Sequence, residues 1–139
     1  MFPYRLITAA SLGAIVGSAA CLAVGHIVPH MSVAANTTGT ESVLPGLPAQ
    51  QFPWATLAVN IIGALLIGCA AALPNIMAND VRRTFVVTGV LGGFTTFSAL
   101  AVEAVLLSDQ PLVATSYLLM TFVGGLSATH VGTWIVGNK

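Results

Sequence analysis

Four apolar stretches, each near the length of about 20 residues that an α-helix needs to cross a bilayer, occupy most of this chain. They lie at about 6–28, 54–73, 84–107 and 112–136. Charged residues make up only 6% of the sequence, against about 25% in soluble domains. A water-soluble fold of this size would have too few polar residues to cover its surface. The expected fold is therefore an all-α membrane protein, one domain over 1–139 with four transmembrane helices. The first stretch is long for a signal peptide and only Arg5 precedes it, so it reads as a retained helix.

Between the first two stretches lies the one long connection, 29–53, rich in Ser, Thr, Gly and Pro, with Glu41 its one charge. That composition reads as irregular loop. Asn36-Thr37-Thr38 fits a glycosylation sequon, a short motif that recurs by chance. Pro53 suits a first helical turn and Trp54 a membrane interface. Ser108-Asp109-Gln110-Pro111 reads as a tight turn.

The positive charges are one-sided. Arg5 precedes the first span, Arg82 and Arg83 lie between the second and third, and Lys139 follows the fourth. With four crossings, all 4 basic residues fall on one face. The positive-inside rule then puts both termini in the cytoplasm of a multi-pass plasma-membrane protein. Net charge is zero, which offers no basic field to a nucleic acid.

Polar groups inside the spans are few. Asn60 lies about 9 Å into the second span at 1.5 Å per residue, Glu103 lies near the outer end of the third, and His130 lies in the fourth. Asn60 is read either as a partner for a neighbouring helix or as functional, and Glu103 either as interfacial or as functional. His130 has no second metal ligand at helical spacing and is read as making a local hydrogen bond. Cys21 and Cys69 are read as small packing residues rather than a disulfide. Gly13 with Gly17, and Gly63 with Gly68, are expected to allow close helix packing.

The third span carries Gly92-Gly93-Phe94-Thr95-Thr96-Phe97-Ser98 at its centre. Glycine weakens a helix by about 1 kcal/mol relative to alanine, and the hydroxyls can bond freed backbone groups. Irregular backbone at this depth is tolerated only when it is buried in protein or lines a cavity. The stretch is thus a packing kink or a deliberate break in the third helix.

Pro53-Trp54-x-Thr56-Leu57-x-Val59-Asn60-x-x-Gly63, followed by Gly89-x-x-Gly92-Gly93-Phe94-Thr95-Thr96-Phe97-Ser98 and then Glu103, resembles the CrcB/Fluc fluoride channel family. Tyr117 fits the same pattern, and the resemblance spans all four helices. It implies a non-enzymatic channel subunit that exports fluoride from the cytoplasm down its gradient and so lowers fluoride toxicity. It implies an antiparallel dimer with two narrow pores and a structural sodium ion held by the backbone carbonyls of Gly92 and Thr95 from both subunits. Asn60, Thr96, Phe97, Ser98, Tyr117 and Thr121 are the implied fluoride pore residues. Glu103 matches the family's acid, as a gating or structural group.

Three family positions depart from the pattern. Cys21 (or Gly17, in a shifted alignment) stands where many members carry an arginine, Leu100 where a second pore phenylalanine is usual, and Ala99 where a threonine is usual. A pore relying on those groups should conduct poorly. The charge bias commits this chain to one orientation, whereas self-pairing needs copies inserted both ways. These two features together point to a heterodimer with a homologous subunit of opposite orientation. Two other readings stand beside this one. In the first, the chain is a non-conducting subunit that completes its partner's pore. In the second, it is a small proton-coupled multidrug exporter, which would want a carboxylate in its first helix, where this chain has none.

Overall fold

The computed structural model describes residues 4–27 and 52–138. The expected loop up to residue 51, with the sequon at Asn36 and with Glu41, lies outside the described residues, as does Lys139. Every regular element among the described residues is helical, and four spans are long and apolar enough to cross a membrane.

The first span is α1, Tyr4–Ile27, and the second is α2, Trp54–Ala71. Pro53, at φ −80° and ψ 66°, turns the chain into α2, and the Trp54 N–H donates to the Phe52 carbonyl at 2.8 Å. This is an inverse γ-turn. The short α3, Pro74–Met77, follows.

The third span begins earlier than hydropathy alone indicates, at Asp80 rather than near 84. The reason is local. Asn79 is in extended backbone, and its side chain accepts from the Arg82 N–H at 3.0 Å. That is an N-cap, and Asp80 in the first turn suits the positive end of the helix. Arg82 and Arg83 therefore lie in the first turn of the span, α4, Asp80–Arg83. The helix then widens into a π-helical segment, Thr84–Leu91, a form that often marks functional regions. It returns to α pitch in α5, Gly92–Phe94, breaks at Thr95 and Thr96, and resumes as α6, Phe97–Leu106. Both break residues are extended, with ψ of 139° and 103°. The discontinuity read from the glycines and hydroxyls is thus present. A turn follows, closed by the Gln110 N–H on the Leu107 carbonyl at 2.9 Å. Pro111 opens the fourth span, α7, Pro111–Gly137.

Two helix pairs carry the packing. α1 crosses the first half of the third span, and α2 lies along α7. Glycines set how closely the backbones approach. Gly13 faces the Phe85 carbonyl and Gly89, Gly17 faces the Val90 carbonyl and the Phe94 amide, and Gly93 faces Ala14. In the other pair, Gly68 faces the Thr129 backbone and Gly132 faces Leu65 and Cys69. Thr129 also donates across the helices to the Ala64 carbonyl at 3.1 Å. A small buried cluster of Leu57, Leu100, Leu107 and Tyr117 joins α2, α6 and α7. Large apolar side chains such as Leu112, Leu126 and Ile15 are exposed, as lipid-facing positions should be. Cys21 and Cys69 are free thiols, and His130 is exposed.

The close crossing makes a direct prediction. A Cβ at Gly17 would run into the Val90 carbonyl and the Phe94 amide, backbone atoms that cannot swing away. Gly17→Val should cost about 1–3 kcal/mol through overpacking. Gly125→Ala, whose nearest neighbour would be the Ala64 Cβ at 3.9 Å, should leave stability near that of the parent. Thermal unfolding of the two purified variants in detergent checks the difference.

Candidate functional site

In an unbroken third helix the Gly92 carbonyl would accept from the Thr96 N–H, and the Thr95 carbonyl from the Ala99 N–H, four residues on. Both donors are taken by side chains instead. The Thr96 N–H donates to Asn60 Oδ1 at 2.9 Å, and the Ala99 N–H donates to Thr96 Oγ1 at 3.2 Å. Asn60 also donates through Nδ2 to the Thr96 carbonyl at 3.4 Å. The half-buried amide of α2 thus holds both backbone groups of one break residue, and Thr96 caps α6. Gly92 and Thr95 are left with carbonyls released from the helical ladder. The Gly92 carbonyl keeps a contact of 3.4 Å to the Thr95 hydroxyl, which donates more closely to Leu91 at 3.1 Å.

Gly63 makes room for this arrangement. A side chain there would collide with Thr95. Gly63 lies three residues after Asn60, on the same side of α2, so one face of that helix both receives the break and bonds it.

The outer surface of the break is open. Gly92 and Ser98 are exposed, and Phe97 is 74% exposed. Thr96 and Ser98 share a hydroxyl contact of 3.3 Å. Six expected site residues therefore gather here: Asn60, Thr96, Phe97 and Ser98 with the Gly92 carbonyl, and Thr95 beside them.

Tyr117 and Thr121 sit apart from that surface. Tyr117 is wholly buried, and its hydroxyl donates to Glu103 Oε2 at 2.6 Å. Thr56 donates to Glu103 Oε1 at 2.7 Å. Glu103, only 3% exposed, thus has each carboxyl oxygen paired with a hydroxyl from a different helix. The interfacial alternative for Glu103 is set aside by this burial. Phe52 closes the cluster with its ring set edgewise to Tyr117 at 5.7 Å. Thr121 is buried and donates back to the Tyr117 carbonyl at 2.8 Å. Thr56 is the site residue that sequence reasoning did not single out. It lies one helical turn before Asn60 on the same face, which is the signal that identifies it.

The positions that depart from the family pattern behave differently from one another. Leu100 is 4% exposed and belongs to the core cluster rather than to the open face beside Phe97. Ala99 is half-buried and contributes its N–H to the Thr96 cap. Cys21 is half-buried on α1. No cluster of three or more His, Cys, Asp or Glu side chains exists among the described residues.

Comparison with known proteins gives a consistent result. A family profile described as "CrcB-like protein, Camphor Resistance (CrcB)" matches residues 8–133. The chain is 43% identical over 90 residues to the fluoride-specific ion channel FluC of Agrobacterium fabrum, covering 62% of this chain and 72% of that one. It is 40% identical over 94 residues to the fluoride-specific ion channel FluC of Chlorobium chlorochromatii, covering 62% and 73%. Against the FluC of Mesorhizobium japonicum the identity is 36% over 92 residues, covering 64% and 74%.

Proposed function

The chain belongs to the CrcB family, and from that premise we propose that it is a subunit of a fluoride-selective channel, letting fluoride leave the cytoplasm down its gradient. The observation that carries the reading is the break, where Asn60 and Thr96 take the N–H groups that would otherwise close the Gly92 and Thr95 carbonyls. An unwound segment inside a membrane span is where backbone groups become available to ions.

Fluoride is small, strongly hydrated and a strong acceptor, so replacement donors must stand in for its water. The second Nδ2 proton of Asn60 and the hydroxyls of Thr96 and Ser98 are donors without fixed charge, which allows the ion to leave as well as enter. The ring edge of Phe97 is the positive part of its quadrupole and adds a weak attraction. The hydroxyls of Tyr117 and Thr121 already donate within the chain, so they serve fluoride only when those bonds are exchanged. Glu103 acts as a structural acid that ties α2, α6 and α7 together.

Sodium fits the released carbonyls of Gly92 and Thr95, because hard cations take oxygen ligands. Bound there, it supplies a positive field beside the anion path. The exposed polar backbone at Gly92 and the exposed Ser98 lie at membrane depth, where lipid offers no hydrogen bonds. A second subunit covering this face removes that cost. The one-sided basic residues suit an antiparallel heterodimer in which this chain has both termini in the cytoplasm. Its oppositely inserted partner then supplies the arginine, phenylalanine and threonine that are replaced here by Cys21, Leu100 and Ala99.

The second reading, a non-conducting subunit, is favoured by the burial of Leu100 in the core, which leaves Phe97 without a second ring three residues on. Family membership removes support from the exporter reading. Fluoride efflux from vesicles tests the proposal. The purified chain alone should give weak flux, and co-purification with an oppositely oriented homologue should give full, fluoride-over-chloride flux. Full flux from the chain alone would reject the heterodimer, and absence of flux from both preparations would reject the channel.

A further inference from the structure

The first turns of α1 and of the third span line an open cavity of about 750 Å3 at the surface that the channel reading does not use. Arg5 and Arg82 line it together, with Thr8 and Asn79 as further polar groups and Leu12 and Phe85 as apolar wall. It is remote from the break. Arg5 precedes Ser18, the α1 residue whose hydroxyl reaches the Gly93 carbonyl, by a helical rise of about 20 Å.

Arg5 and Arg82 carry like charges and line one space. Asp80 is the nearest acid in sequence, but its carboxylate pairs with Arg83 at 3.0 Å and does not line the cavity. That pair is the only salt bridge among the described residues. Arg82 is also held in place, since its Nη1 donates to the Asn75 carbonyl at 2.8 Å and its N–H donates to Asn79. An anion between the two arginines would relieve their repulsion, and a phosphate group matches the planar donor fork of arginine.

The surroundings favour a lipid over a free ion. Leu12, in the cavity wall, is 59% exposed and continues into Ile15 and Val16, at 67% and 52%, three and four residues on along the same side of α1. An acyl chain descending from a headgroup would lie on this stripe. Basic pockets between transmembrane helices near the membrane surface are known headgroup sites. We infer that this cavity binds the phosphate of an anionic membrane lipid, held by Arg5 and Arg82, in the leaflet next to the basic face of the protein.

The test uses the full purified chain in non-ionic detergent, with phosphatidylglycerol, phosphatidylcholine or inorganic phosphate added. Lipid adducts are counted by native mass spectrometry and the unfolding midpoint is followed. Phosphatidylglycerol should be retained about tenfold better than phosphatidylcholine and should raise the midpoint, and inorganic phosphate should do neither. Arg5→Gln and Arg82→Gln should each weaken retention about fivefold. The double variant should lose the preference, and Arg83→Gln should keep it. Equal retention of the two lipids by the parent chain overturns the proposal without need of any variant. So does a preference that survives in R5Q/R82Q, and an equal midpoint shift from inorganic phosphate would mark a free-anion site instead. Flux is not the readout, so the outcome is separate from that of fluoride conduction.

Discussion

Asn60→Leu should abolish fluoride flux and remove any dependence of stability on sodium. Leucine fills similar space but neither accepts from the Thr96 N–H nor donates to its carbonyl, the two contacts Asn60 makes at 2.9 and 3.4 Å. The Thr96 N–H is then left unsatisfied at membrane depth, at about 1–3 kcal/mol, and its carbonyl keeps only the Leu100 N–H at 3.5 Å. The chain can escape part of that cost by repairing the helix. The Thr96 N–H then returns to the Gly92 carbonyl, and a carbonyl proposed for sodium is closed. Each route weakens the site, because Asn60 holds one of the two N–H groups whose capture opens it, and Thr96 holds the other. The check is a pair of measurements on the co-purified channel: fluoride efflux, and the unfolding midpoint in sodium against an organic cation such as N-methylglucamine. The parent should unfold at lower temperature without sodium, and N60L should be indifferent. Flux and sodium dependence surviving together in N60L would sink the account of the break given above.

Much of this was open to reading in the chain itself. Apolar runs of bilayer length identify the four spans, and adjacent glycines followed by hydroxyls mark the interruption, because each feature is local. The early start of the third span was also legible, since Asn79-Asp80 is a capping pair. Hydropathy hid it because Arg82 and Arg83 look like loop residues. What local pattern does not encode is the pairing across the fold. Asn60 meets Thr96 across 36 residues, and Thr56 meets Glu103 across 47. The sequence marked Asn60 and Glu103 as out of place in lipid, and their partners are set only by the fold.

Leu100 shows a different limit. By spacing it should follow Phe97 on one face, yet Phe97 is 74% exposed and Leu100 4%. Three residues turn an α-helix by about 300°, so the two positions diverge by about 60°. At the edge of a narrow buried stripe that is enough to separate surface from core. The leucine substitution therefore reads differently on the structure than in the sequence. It removes a ring, and it also packs against Leu57, Leu107 and Tyr117, so it contributes to the scaffold that supports Phe97.

That scaffold has its most sensitive point at Glu103. Tyr117→Phe should destabilise the protein by about 2–3 kcal/mol, since it strips one carboxyl oxygen of its donor where water cannot replace it. Glu103→Gln should cost less, because a glutamine amide still accepts from one hydroxyl and can donate to the other. The informative variant is the double, E103L/Y117F. It removes the buried acid and its tyrosine donor together, leaving only the Thr56 hydroxyl, which can bond back to the Phe52 or Pro53 carbonyl just before α2. Apolar replacement of a buried polar pair is often close to neutral, whereas removal of one member is not. The double variant should therefore be more stable than Y117F alone, with a coupling of about 1–3 kcal/mol in the mutant cycle. Fluoride flux should follow the same order if Glu103 acts by positioning α6, the helix that begins with Phe97 and Ser98. Flux lost equally in E103L/Y117F and Y117F, despite recovered stability, would instead place the carboxyl or the phenol on the path of the ion.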